Sequence, residues 1–298
     1  MTEYCRPTTV EGALDLLASH PGMARILAGG TDLLVDLRKR KAQAQVLVDI
    51  TRIPELGEIR IEGGYVEVGA AVTFATIQDH AYFKRCIPML TEAASSVGAP
   101  GIRSTATWVG NLVQAMPAAD GAIVALALEA EARVVGAGQA AWRPVDSLFM
   151  GPGQSTIDPC TQMITHLRFK IPDAEWGSGW QRVGRRAALT LPVINCAVKV
   201  ELEGERIQSA VIALGPVSTK PFRAKGCEAF LNGQLPSQEI FAEAGRLAQA
   251  EADPRSNPLR ASREYRLAII PVVVRRALDI ACQRAIENRA YVGGVAPA

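Results

Sequence analysis

Aromatic residues make up only 5% of this 298-residue chain, and there are three histidines. His20, His80 and His166 show neither metal-ligand spacing nor a nearby acidic partner, so they read as surface or capping residues. The six cysteines (Cys5, Cys86, Cys160, Cys196, Cys227 and Cys282) include no C-x-x-C or similarly short pair. That excludes a zinc ribbon or an iron–sulfur cluster on this chain and leaves each thiol to act as a small apolar residue. The chain has no G-x-S-x-G elbow, P-loop lysine or H-E-x-x-H pair. Apolar runs fall well short of the roughly 18 residues a bilayer requires. The opening MTEYCRPTTVEG contains no hydrophobic stretch of the signal-peptide kind, so no membrane insertion and a cytoplasmic location are expected. Charge of one sign is lacking too: 32 basic residues face 30 acidic ones, for a net charge of +2. Dispersed in this way, the basic residues leave no nucleic-acid footprint.

What remains is an ordinary globular composition, 48% hydrophobic and 21% charged. The length suits two domains of roughly 150 residues each. Thr8-Thr9-Val10-Glu11 is a capping pattern, and Val10, Ala13, Leu14 and Leu17 continue at helical spacing up to Pro21. A strand at Arg25–Ala28 is broken by Gly29-Gly30, after which Thr31-Asp32 can cap a second helix. Val46–Ile50 has the unbroken apolar character of a parallel strand, completing a β-α-β unit. Residues 58–72 alternate as a hairpin does, and 73–97 read as a helix broken at Pro88. A long loop is expected over 98–111, then a helix over 118–130 and a strand over 132–135. From Met163 to Gly215 the pattern is antiparallel, with a turn at Glu203-Gly204-Glu205. The remainder is helical: 224–231, 237–252, and a long final helix from about Ser262 that Pro271 is expected to kink or break. The boundary between the two domains is placed near Pro172.

Two segments carry candidate chemistry. Leu27-Ala28-Gly29-Gly30-Thr31-Asp32 stands at a strand-to-helix junction, where glycines allow close backbone approach and free N–H groups attract an anion. It lacks the G-x-G-x-x-G spacing of a nicotinamide-binding βαβ unit. The second segment runs from Ile102 to Asn111 and on to Asp120. Thr107 and Asn111 can donate to phosphate oxygens, while Asp120 can accept from a sugar hydroxyl or cap a helix. Two such loops suggest one diphosphate ligand gripped from both sides, although each alone also fits a plain turn. Arg182, Arg185 and Arg186 fit either an anion-facing cluster or a solvated basic turn. No acid, base or nucleophile set is present, so redox or group-transfer chemistry would come from a cofactor.

Several ordered segments together resemble the FAD-binding medium subunit of the molybdenum hydroxylases, the family of carbon monoxide dehydrogenase and xanthine dehydrogenase. They are PTTVEGALDLL, LAGGTDLLVDLRKR, LVDITRIPEL, VGAPGIRSTATWVGNLVQAMPAADG, FMGPGQS, RVGRRAALTLPVIN and DPRSNPLRASREYR. The resemblance implies an α+β fold. A vanillyl-alcohol-oxidase-type FAD domain of two α/β subdomains spans residues 1–172, with a split near 55, and a C-terminal domain with a three-stranded antiparallel sheet and helices spans 173–298. It also implies a set of cofactor contacts: Ile26, Leu27, Ala28, Gly29, Gly30, Thr31, Asp32 and Leu33 in the first loop, and Thr107, Gly110 and Asn111 in the second. Asp120, Leu167, Arg182 and Leu191 are further implied contacts. FAD would sit on this chain, with a molybdenum cofactor on a large partner subunit and two [2Fe–2S] clusters on a small one. That is a heterotrimer able to pair into a dimer of heterotrimers. The final acceptor stays open among NAD⁺, dioxygen and a quinone.

The second loop departs from the family pattern, with Val109 where a glycine is usual. A β-branched residue tolerates positive φ poorly, so flavin binding is expected to be retained or improved in Val109→Gly and abolished in Gly29→Val. The alternative expectation is a flavin-free structural subunit of the same type of complex. The missing insertion and unclustered thiols set this chain apart from the 4-hydroxybenzoyl-CoA reductase flavoprotein, which carries an added iron–sulfur cluster.

Overall fold

The computed structural model describes residues 2–292 except 137, 172–174, 187 and 188, and leaves out the side chains of 289–292. The expected boundary at Pro172 therefore lies outside the described residues. Strand β1 (Glu3–Cys5) precedes helix α1 (Val10–Ser19), which Thr9 caps by accepting the Gly12 N–H at 3.1 Å. Val10, Ala13 and Leu17 form its buried face, as the spacing predicts. Next come β2 (Ala24–Leu27), α2 (Leu33–Arg38), β3 (Val46–Asp49) and the hairpin of β4 (Ile59–Glu62) with β5 (Tyr65–Gly69).

The expected helix over 73–97 is three helices: α3 (Phe74–Asp79), α4 (Ala81–Cys86) and α5 (Pro88–Ser96). The expected long loop holds α6 (Pro100–Arg103) and α7 (Trp108–Val113). After them α8 (Asp120–Ala127) is shorter than expected, and β6 (Glu131–Gly136) and β7 (Gln139–Pro144) follow. The chain continues through β8 (Phe149–Gly151), β9 (Gln154–Ser155), β10 (Gln162–Lys170), β11 (Trp176–Gly184), β12 (Pro192–Glu203), β13 (Arg206–Gly215) and β14 (Phe222–Arg223). It ends in α9 (Lys225–Leu231), α10 (Gln238–Glu251) and α11 (Arg263–Val292).

The described residues form two compact units, neither continuous in sequence. The first takes those within 1–77, 99–115 and 129–171. It contains a parallel sheet ordered β1-β3-β2 and an antiparallel sheet ordered β4-β5-β10-β6-β7. β10 therefore pairs with β5 and β6 and not, as its sequence neighbourhood suggested, with the antiparallel strands that follow it. Trp108 is fully buried and meets Phe169 edge-on at 6.2 Å between ring centroids, fixing α7 against β10.

The second unit takes the residues within 78–98, 116–128 and 172–298. Its sheet, ordered β11-β12-β13-β14, consists of three long strands and a two-residue edge. α11 lies directly on β11, because a Cβ at Gly177 or Gly179 would stand 2.0 or 2.1 Å from the carbonyl oxygens of Ala281 and Ala277. Of the two outcomes expected at Pro271, the break does not occur: α11 continues through it. A proline cannot donate to the carbonyl four residues earlier, here Leu267. Gln249 of α10 donates to that carbonyl through Nε2 at 3.0 Å and satisfies it from outside the helix. Among the described residues no helix is long and apolar enough to cross a membrane.

Candidate functional site

β2 ends at Leu27 in register with Asp49 of β3, and the chain leaves the sheet through Ala28, Gly29 and Gly30. The carboxyl end of a parallel strand is where open α/β sheets bind ligands. Ile26 and Leu27 anchor this exit within the strand. Beyond it, the backbone N–H groups of Gly29, Gly30, Thr31, Asp32 and Leu33 meet no protein acceptor among the described residues. Successive unpaired N–H groups make an anion-binding concavity. Gly30 adopts φ of +68°, a left-handed conformation that suits glycine, and its carbonyl accepts the Leu34 N–H at 3.1 Å. Asp32 precedes α2 without capping it, since its backbone is helical and its carboxylate forms no cap bond.

Gly29 also has a role that its sequence did not suggest. A Cβ at this position would lie 2.0 Å from the Thr105 carbonyl oxygen and 2.8 Å from the Ala106 Cα. The missing side chain lets the second loop come against the first. Thr107 then caps α7, its Oγ1 accepting the Gly110 N–H at 3.0 Å. That hydroxyl is buried, and the bond it accepts does not use its own proton, which stays available for donation. Val109 lies buried in the first turn of α7 and is not among the positive-φ residues. The strain expected of a β-branched residue at this position is therefore absent. Asn111 is placed one helical turn beyond Thr107, and its Oδ1 is buried with no hydrogen-bond partner. A buried acceptor in that condition needs a donor from water or a ligand. Leu167 lies opposite Val68 and Ala132 in the middle of the antiparallel sheet, wholly buried.

Asp120, Arg182 and Leu191 belong to the second unit. Asp120 opens α8, and its Oδ1 accepts from Asn195 Nδ2 at 2.6 Å and from Arg182 Nε at 3.3 Å. Burial pushes its carboxyl above the usual aspartate range, opposed by the Arg182 charge and the Asn195 hydrogen bond. Arg182 also donates to the Thr190 carbonyl, which ties β11 to the segment carrying Leu191. Leu191 itself is exposed. Sequence reasoning missed Asn195, whose Oδ1 is a second buried acceptor without a partner. Its signal was available as the single amide in the apolar strand run PVINCAVKV. Arg185 and Arg186 are exposed, and each donates to one backbone carbonyl, of Leu259 and Leu189 respectively. His166 is neither a surface nor a capping residue: it is buried in β10, and burial pushes its pKa down.

Comparison with known proteins follows the same order along the chain. Residues 1–173 match the family described as FAD binding domain in molybdopterin dehydrogenase, and residues 181–281 match CO dehydrogenase flavoprotein C-terminal domain. The chain belongs to this family. It is 30% identical over 278 residues to the xanthine dehydrogenase FAD-binding subunit of Escherichia coli O157:H7, covering 93% of this chain and 94% of that one. It is likewise 30% identical to the carbon monoxide dehydrogenase medium chain of Hydrogenophaga pseudoflava, covering 95% and 97%. Among solved structures, carbon monoxide dehydrogenase from Hydrogenophaga pseudoflava superposes with a TM-score of 0.89 at 30% identity, over 95% of this chain and 98% of that one. Quinoline 2-oxidoreductase from Pseudomonas putida 86 gives a TM-score of 0.88 at 26% identity, over 96% and 98%.

The FAD of this molybdopterin dehydrogenase family is an anionic dinucleotide, and the residues present fit one. The unpaired N–H groups of 29–33 suit its phosphates, and the orphaned Asn111 Oδ1 suits a hydroxyl or amine donor. Among the described residues no group of three or more His, Cys, Asp or Glu could hold a metal ion.

Proposed function

We propose that the chain is the FAD-carrying medium subunit of a molybdenum-containing dehydrogenase. In this reading electrons leave a substrate at a molybdenum cofactor on a large partner, cross two [2Fe–2S] clusters on a small partner, and pass through this chain to an external acceptor. The observation that supports it is the run of unpaired N–H groups from Gly29 to Leu33, closed against the Thr105–Ala106 backbone. Bound FAD supplies a carrier that accepts electrons singly and delivers them in pairs.

The chain's own residues bind and orient. The backbone from Ile26 to Leu33 holds the diphosphate, and Thr107 and Gly110 fix the first turn of α7 so that Asn111 offers its free acceptor. Within the second unit Asp120, with Arg182 and Asn195, supplies a fixed polar group whose charges are paired, and Leu191 offers exposed apolar surface there; Leu167, buried in the sheet of the first unit, supports that sheet. No side chain here needs to transfer a proton. In this reading residues 1–172 are the FAD-binding domain and residues 173–298 the C-terminal domain, with the segments within 78–98 and 116–128 packed into the second compact unit. The flavin-free reading rested on Val109, and the helical φ of that residue speaks against strain there.

The test is cofactor extraction and an absorption spectrum on the chain purified with its partner subunits. The expected result is stoichiometric FAD with a band near ~450 nm, reduced by substrate only within the assembled complex. A complex that turns over substrate but yields no extractable flavin overturns the proposal.

A further inference from the structure

Helix α2 is an anomaly within the first unit. Four of its six residues, Leu33, Leu34, Val35 and Leu37, are apolar, yet none of the six is buried. Leu34 is 48% exposed and Val35 43% exposed. α1, on the same three-stranded sheet, buries three residues by contrast. Helices flanking a parallel sheet are ordinarily covered apolar on one side and polar on the other. The helix is followed at once by Arg38, Lys39, Arg40 and Lys41, all exposed. Among the described residues none of these four side chains forms an ion pair or hydrogen bond. In a chain whose net charge is only +2, this is a local concentration of unpaired positive charge beside unpaired apolar surface.

The geometry points to α2 and the following basic turn as a docking surface for a partner subunit of the complex, one whose face carries an apolar centre rimmed by carboxylates. An apolar core with a charged rim is the anatomy of protein–protein interfaces, and the rim charges set register and encounter rate. The inference rests on the complex assembly proposed above, but not on flavin being present. The docking surface begins where the proposed diphosphate loop ends, so a partner seated there would adjoin the segment that holds the cofactor.

The test uses the chain co-expressed with its large and small subunits. Val35→Asp alters the apolar patch, and the double variant Lys39→Glu/Lys41→Glu reverses two rim charges. Both sites are exposed, so the fold is retained, and unchanged flavin content reports on that separately. Lys225→Glu, on a different exposed helix start, is the control. Subunit association is expected to weaken about tenfold or more in both variants, with a shallower salt dependence for the double variant. Lys225→Glu should match the parent chain. Association that is undiminished in both variants overturns the proposal. So does either alternative occupant: loss of binding to phosphatidylglycerol vesicles, or conversion of an isolated dimer of this chain to monomer, with subunit association unchanged in each case.

Discussion

A single methyl group at position 29 tests whether the two loops form one site. In Gly29→Ala the new Cβ would start 2.0 Å from the Thr105 carbonyl oxygen and 2.6 Å from its carbon, against a limit of 3.0 Å that real Cβ contacts respect. Both obstacles are backbone atoms, so relief requires the loops to part by at least 1.0 Å, the difference between those two distances. Overpacking of this kind costs about 1–3 kcal/mol. At roughly 2–4 °C per kcal/mol for domains of this size, melting should fall by about 2–12 °C. Flavin occupancy should fall with it, because the N–H groups of 29–33 and the Asn111 acceptor no longer face one ligand in the same arrangement. Gly101→Ala is the control: it lies on the second loop, but nothing stands within 4 Å of its Cβ. Circular dichroism melts and flavin-to-protein ratios, with and without added FAD, separate the two variants. Equal melting temperature and equal flavin content in both would refute the loop–loop contact.

Four other outcomes follow from the same structure. Val109→Gly should destabilise by about 2–3 kcal/mol, since it removes a buried side chain and places glycine inside a helix, and it should not improve flavin retention; denaturant titration measures it. Burial works against the Asp49 carboxylate, but hydrogen bonds from Thr51 and Tyr4 and the Arg6 charge outweigh it and hold its pKa below the usual range. The stabilisation is therefore complete above about pH 4 and lost as pH falls through the lowered pKa, so the gap in melting temperature between the parent chain and Asp49→Asn should close on acidification. Burial drives the Cys227 and Cys282 thiols up to about 12 and the Cys196 thiol up as well, so native alkylation should modify only Cys5, Cys86 and Cys160. Gln249→Leu strands the Leu267 carbonyl beside Pro271 and should cost about 1–3 kcal/mol by thermal melting, whereas Gln249→Glu, offering no amide donor, should behave no better.

The elements legible in the sequence were those whose pattern is local. Thr9 and Ser237 cap α1 and α10 where polar residues precede apolar periodicity, and Gly204 turns β12 into β13. Long-range pairing was not legible: β10 joins β5 in a register that places His166 opposite Gly69, a partnership no window of sequence contains. α8 shows no polar face because all eight of its residues are buried, which removes the periodicity that would mark its ends. The helix is not broken at Pro271 because propensity is a weak prior beside packing. Gly245 brings α10 close enough that a Cβ there would stand 2.7 Å from the Pro271 Cα, and Gln249, one turn later, satisfies the carbonyl that the proline leaves free.

The glycines of the first loop stand out in the sequence, but their division of labour does not. Two glycines at 29 and 30 look interchangeable in sequence, yet one accommodates a neighbouring loop and the other a left-handed turn. The same distinction explains why a valine at 109 is tolerated. A glycine is demanded only where φ is positive or backbone approaches closely, and position 109 meets neither condition, being inside α7 with its side chain in the core. In this setting Thr107 caps α7 and the Asn111 acceptor stands one turn beyond that cap. Loss of cofactor should therefore track substitutions at 29 and 30, and a chain that lost flavin only when 109 changed would place the diphosphate on the second loop alone.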